Sequence, residues 1–165
     1  MTFWESPRWH EYEVAYGDAP GTRAALLASA RWQTRVVDLR LDESVLWGSI
    51  RKSYKSLIRV AIRRYAIEKP YKEVVPARGI VVARRLHYDD AGRETRPDET
   101  WNLMGDWLRQ QADVLVLCGP DKQEVGYAYF IIDCSWAYYA SAASTVPNVT
   151  AAMVWQGMLA AKQVG

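Results

Sequence analysis

The sequence predicts an α+β fold, and three observations carry that expectation. Between Asp113 and Ala142, short apolar or alternating segments follow one another closely with turn residues between them, as in an antiparallel meander. Segments with helical apolar spacing stand on both sides of that meander. The chain has 165 residues, half of them hydrophobic, which suits a single domain over 1–165 and is short for two. Helices framing a meander give an α+β layering or a mixed sheet with helices on both faces.

In chain order, residues 1–33 are aromatic-rich but weakly patterned, with a turn at Gly17–Gly21 before a helical stretch from about Thr22 to Ala30. Val36, Val37, Leu39 and Leu41 among Arg35, Asp38 and Arg40 predict a strand over 34–41. Asp42, Glu43 and Ser44 announce a helix of about 43–65, with Leu46, Ile50, Tyr54, Leu57, Ala61 and Tyr65 on its inner stripe and Ile58 and Ile62 widening it. Lys69–Pro70 closes it. Residues 71–92 admit either a buried strand at Gly79–Val82 or a short helix starting near Pro76. Thr95 as N-cap with Asp98 three residues on predicts the next helix, with Trp101, Met104, Trp107 and Leu108 inward. Strands then span about 113–118, 124–133 and 136–142, the first turn being Gly119–Lys122. Pro147 and Asn148 lead into a last helix of about 149–163.

Several function classes lose their usual support. The chain has no Gly-x-Gly-x-x-Gly, no Walker loop, no Gly-x-Ser-x-Gly elbow and no His-Glu-x-x-His. His10 and His87 are the only imidazoles, and Cys118 and Cys134 lie singly in apolar segments, so no metal centre is expected. No stretch approaches the ~18 apolar residues of a membrane span, and the N-terminus lacks a charged region followed by an apolar run. The expectation is a cytoplasmic protein without membrane insertion.

Charge is the strongest local signal. Arg51, Lys52, Lys55, Arg59, Arg63 and Arg64 occur within fourteen residues that hold no acidic side chain. Removing these six from 21 Lys+Arg leaves 15 against 19 Asp+Glu, so the positive charge is local. Such a basic helix holds an anionic partner, is a solvated face, or contacts the acidic remainder of the chain. Standing at i, i+4, its cations repel one another unless packing or an anion compensates. His87 suits either a general base or a buried structural role.

Leu46-Trp47-Gly48-Ser49-Ile50-Arg51-Lys52-Ser53-Tyr54-Lys55-Ser56-Leu57-Ile58 resembles the helix of Fem-type (FemABX-like) transferases, which belong to the GNAT acyltransferase superfamily. Two further blocks follow in family order. One is Leu86-His87-Tyr88 with Ala91-Gly92-Arg93-Glu94-Thr95-Arg96-Pro97 and Thr100-Trp101; the other is Ala137–Ser144 followed by Pro147 and Trp155-Gln156. The resemblance covers roughly residues 34–165. It implies a GNAT-like, mixed but mainly antiparallel sheet flanked by helices, and a helix in the segment near residue 80.

The activity it implies is transfer of an acyl or aminoacyl group from an activated donor to an amine, as relatives do to a peptidoglycan precursor. The donor would be an aminoacyl-tRNA or an acyl-CoA, with no cofactor bound permanently. Arg51, Lys52, Lys55 and Arg59 would hold phosphates of a nucleotide-linked precursor or a tRNA acceptor arm, and Arg93 and Arg96 could join that site or serve capping and surface pairing. The strand holding Tyr138, Tyr139 and Ser141 would pair with the donor, one of the two tyrosines packing and the other lining the cleft. Asn148, before the next helix, would stand where free N–H groups meet an anion. No residue is singled out as the catalytic base. The family's pyrophosphate loop is replaced here by Ser144-Thr145-Val146-Pro147-Asn148-Val149. Its pattern continues past this point with further elements, so the resemblance implies a fold incomplete at Gly165, or a sheet completed by a second copy or another chain. The alternative is a non-catalytic GNAT-fold module that binds a phosphate-bearing ligand or nucleic acid.

Overall fold

The computed structural model describes residues 9–13, 31–68, 76–110, 113–120, 123–133 and 136–164. The expected turn at 17–21, the helix at 22–30, the stop at Lys69–Pro70 and Cys134 lie outside them. Strands β1 (Trp9–Glu13) and β2 (Arg31–Arg35) pair antiparallel, with Trp9 opposite Arg35. Helices α1 (Glu43–Gly48) and α2 (Lys52–Arg64) lead into strand β3 (Ala66–Glu68). Helices α3 (Pro76–Ala91) and α4 (Asp98–Arg109) precede the meander of β4 (Val114–Gly119), β5 (Gly126–Asp133) and β6 (Trp136–Ser144), and α5 (Thr150–Val164) follows it. The second sheet runs in the order β3-β4-β5-β6, and each of its neighbours pairs antiparallel. The fold is therefore α+β, an antiparallel sheet flanked by helices. No parallel pair occurs among the described residues, so the mixed character expected of the sheet is not seen there.

Alternation along β4 and β5 sets the layers. Val114, Val116 and Cys118 share a face with Ala128 and Phe130, and there they meet Leu46, Ile50, Ile58 and Ala61 of the α1–α2 segment with Ala152, Met153 and Trp155 of α5. The intervening Leu115, Leu117, Tyr127 and Tyr129 face the other way, onto Ile80, Ala83 and Leu86 of α3 and Trp101, Met104 and Leu108 of α4. The uninterrupted apolar run of β4 follows from this: the strand is buried on both faces. Each such Leu or Ile contributes about 1.5–3 kcal/mol through burial.

Where the structure departs from expectation, local chemistry gives the reason. The helix expected over 43–65 is broken at Ser49–Arg51. Ile50 donates its N–H to Trp47 O in a tight turn, and Arg51 is extended at φ −56°, ψ 141°. Gly48 and Ser49 are weak helix formers, the Ser49 hydroxyl donates to Leu46 O, and the Lys55 ammonium donates to Gly48 O, so the first helix is closed from outside. Leu46, Ile50, Ile58 and Ala61 are buried as their stripe requires, whereas Ile62 is exposed. The strand expected over 34–41 ends at Arg35. Beyond it Asp38 accepts the backbone and side-chain N–H groups of Arg40 to make a turn, and Lys162 on α5 donates to Leu39 O and Leu41 O. Carbonyls used in this way do not form a ladder. Residues 76–91 are helical, with Pro76 in the first turn where its missing N–H costs nothing. The Thr95 cap does not form: α4 starts at Asp98 behind Pro97, without a side-chain cap. Strand β3 is an addition, too short to have shown a pattern.

Candidate functional site

Four polar side chains from α3, the α3–α4 turn, β5 and β6 stand in one hydrogen-bonded line. His87 Nε2 lies 2.5 Å from Thr95 Oγ1, and its Nδ1 lies 3.0 Å from the Tyr127 hydroxyl. That hydroxyl is in turn 2.7 Å from Ser141 Oγ. Sheet register makes the inner end possible. Tyr127 pairs with Ala143 and Tyr129 with Ser141, so Tyr127 and Ser141 are diagonal neighbours on the face turned to α3 and α4. Trp101 of α4 wedges the line edge-on, 5.5 Å from the His87 ring and 6.5 Å from Tyr127. Tyr127 is fully buried, Ser141 nearly so, His87 half-buried and Thr95 exposed.

The surroundings favour a neutral imidazole. Burial holds the His87 pKa below the usual histidine value, the Arg96 guanidinium adds to this, and Asp90 opposes it. Burial also raises the Tyr127 hydroxyl, with the Ser141 hydrogen bond working the other way. The Arg96 guanidinium lies 5.6 Å above the Trp101 ring and reaches Met104 Sδ at 3.8 Å. Arg84 grips the turn by pairing with both Glu94 and Asp98. Beside His87, Thr95, Trp101 and Arg93 lies a recess of about 20 Å³, the size of one water molecule or one terminal oxygen. A wider hollow of about 370 Å³, lined by Val81, Arg84, Arg85, Tyr88 and Glu94, adjoins it.

The residues singled out from sequence divide between the two sides of the sheet. Arg93, Arg96 and Ser141 belong to the α3–α4 side. Arg51, Lys52, Lys55 and Arg59 belong to the α1–α2 segment, which packs on the opposite face, so the two arginine groups do not form one site. Lys55 is engaged with Gly48 O, and Arg59 stacks over Trp47 at 5.3 Å, whose ring meets Trp155 edge-on. No ion pair among the described residues involves Arg51, Lys52 or Arg59. On β6, Tyr139 packs on Phe130 at 5.4 Å and its hydroxyl is raised in pKa by burial and, secondarily, by Tyr127, while Tyr138 is 64% exposed. Asn148 is exposed in the loop before α5 with φ 67°, a left-handed conformation that asparagine tolerates well.

Two members of the line were not singled out from sequence. Tyr127 alternates with Ala128 and Tyr129, a signal of a tyrosine face but not of a partner. Thr95 stood out only as a cap and as one position of a family-like block. A second buried polar group, Asp113, accepts the Tyr129 hydroxyl and the Ile132 N–H and so ties β4 to β5; burial and this carboxylate push the Tyr129 pKa up. No protein-family model matches the chain, and no curated protein matches it either.

Proposed function

We propose that the chain is an acyl- or aminoacyltransferase-like protein of the Fem type within the GNAT superfamily, acting at the α3–α4 turn. One observation carries the reading. Residues from two of the separate blocks that resemble the family converge on a single line: His87, Thr95, Arg96 and Trp101 from one, and Ser141 from another, joined through Tyr127. Arg93 and Arg96 would hold a phosphate of the donor, aminoacyl-tRNA or acyl-CoA. The acceptor amine would attack the donor carbonyl, and backbone N–H groups would stabilise the oxyanion. No helix among the described residues is long and apolar enough to cross a membrane, and the cytoplasm, where both donors occur, is the compartment we assign.

Titrating a panel of aminoacyl-tRNAs and acyl-CoAs tests this. At least one should bind saturably and lose tenfold or more in affinity with Arg93→Ala and Arg96→Ala. Absence of any binder, or binding indifferent to both changes, would sink the reading. A second reading is favoured by Arg51 and the cations of α2, which form no ion pair among the described residues: a module that binds phosphates on that opposite face without transfer. In that case Arg51→Ala and Arg59→Ala, not the α3–α4 changes, would weaken binding, and affinity would fall steeply with salt.

A further inference from the structure

Among the described residues, the nearly buried Ser141 hydroxyl has one hydrogen-bond partner, the Tyr127 hydroxyl. Tyr127 stands between Ser141 and His87 Nδ1 and has one proton to give. Two orders of donation are therefore open. In the inward order, Thr95 donates to Nε2, Nδ1–H donates to Tyr127, and Tyr127 donates to Ser141, whose own proton is then buried without an acceptor. In the outward order, Ser141 donates to Tyr127, Tyr127 to Nδ1, and Nε2–H to Thr95 Oγ1. Every proton then has an acceptor, and the Thr95 proton is free to point into solvent. A buried unsatisfied donor disfavours the inward order by roughly tenfold or more.

We propose that Ser141, Tyr127 and His87 form a one-way donor line ending in the Thr95 hydroxyl, and that this hydroxyl, with Arg93, takes an oxyanion oxygen of the ligand in the adjoining recess. The recess admits a single oxygen-sized group. Its charged neighbours leave Arg93 available. Glu94 and Asp98 are both held by Arg84, and Arg96 is stacked on Trp101. Asp90, near the end of α3, is exposed. His87 then acts as a positioning residue: its lone pair is turned inward to Tyr127, so it donates toward the turn and is not a base for the recess. Tyr127 and Ser141 position His87 in turn. This deepens the reading of the site given above and rests on it for what the ligand is, not for the direction of the line.

Nitrogen-15 NMR of the His87 ring tests the direction. The free protein should hold the Nε2–H tautomer by about tenfold, and Tyr127→Phe should bring the two tautomers to comparable populations. A dominant Nδ1–H tautomer in the unaltered protein, or a Tyr127→Phe spectrum unchanged from it, overturns the one-way line. Inorganic phosphate and acetate, titrated separately, test the recess. Either should shift the Thr95 and His87 signals saturably, phosphate alone indicating a phosphate group and acetate alone a carboxylate. Thr95→Val should weaken that binding fivefold or more, and Thr95→Ser should keep it. Silence toward both anions, or equal binding by the valine and serine variants, overturns the recess assignment. Failure here is separable from failure of the transferase reading. A donor that binds equally well to Thr95→Val leaves transfer standing and removes this assignment; phosphate bound at Thr95 without any donor in the panel does the reverse.

Discussion

Gly157→Ala should destabilise the protein although it replaces a helix-interior glycine with the best helix former. A Cβ on residue 157 of α5 would lie 2.5 Å from Cζ and 2.7 Å from Cδ2 of Phe130 on β5. Cε2 of the same ring would be closer still; non-bonded carbons settle at about 3.5–4.0 Å, so ring or helix has to move by roughly 1.5 Å. The ring has little freedom: Phe130 is 3% exposed and packs on Tyr139 from β6. Alanine gains about 0.5–1 kcal/mol over glycine in a helix, while overpacking a filled core costs about 1–3 kcal/mol. An approach this close puts the cost at the upper end of that range, about 2–3 kcal/mol, so the net loss is about 1–2.5 kcal/mol, or a Tm lower by about 2–10 °C in a chain of this size. Urea unfolding measures it as a lower midpoint at unchanged slope. Combining the change with Phe130→Leu should recover part of the loss, since the two residues share one space. Unchanged or increased stability of Gly157→Ala would refute the close approach of α5 to β5.

Lys162→Met should cost about 1–2 kcal/mol by removing two charge-assisted hydrogen bonds to Leu39 O and Leu41 O, and hydrogen exchange at the Leu41 amide should accelerate with it. His87 makes stability depend on pH in a stated direction. Its folded pKa lies below the ordinary value of about 6.5, so in the window between the two the unfolded chain binds more protons. Its contribution is then lost as pH falls from about 6.5 toward the folded value, and levels off below that. Unfolding measured across that range for the unaltered protein and for His87→Gln should diverge with that sign; parallel curves would remove the burial of the imidazole as the cause.

The meander was legible because a strand buried on both faces leaves a short unbroken apolar run and its neighbours leave alternation or close turn spacing: Val114–Cys118 and the Tyr127/Tyr129 alternation appear within a residue or two of their place. The break in the basic helix was not, since Leu46, Ile50 and Tyr54 keep a four-residue spacing straight through the turn at Ser49–Arg51. Period detects which side is apolar, not whether the axis is continuous. The turn at Asp38–Arg40 was hidden for a related reason: Val37, Leu39 and Leu41 alternate in a segment whose carbonyls are taken by a lysine more than a hundred residues later. At the candidate site, His87 stood out because it is one of two histidines. Tyr127 and Ser141 became its partners only through the diagonal register of β5 and β6, which no local pattern encodes. The splitting of the arginines between two sides of the sheet likewise depends on layer order, a property of the assembled fold.

The contact of Lys162 with Leu39 and Leu41 also bears on how the chain reaches its structure. Sequence separations of 123 and 121 residues make it among the most distant hydrogen-bonded pairings of the described residues, and the cover of Leu46 and Ile50 is completed by the same helix. Such non-local closure carries a loop-entropy cost before any reward and slows the last stage of folding. During synthesis, α1 and α2 would emerge with their apolar stripe uncovered until β4, β5 and finally α5 follow, a period in which nascent chains are open to misassociation. Lys162 thus acts as a late latch, and variants that loosen it should be felt first in the yield of folded protein made at the ribosome.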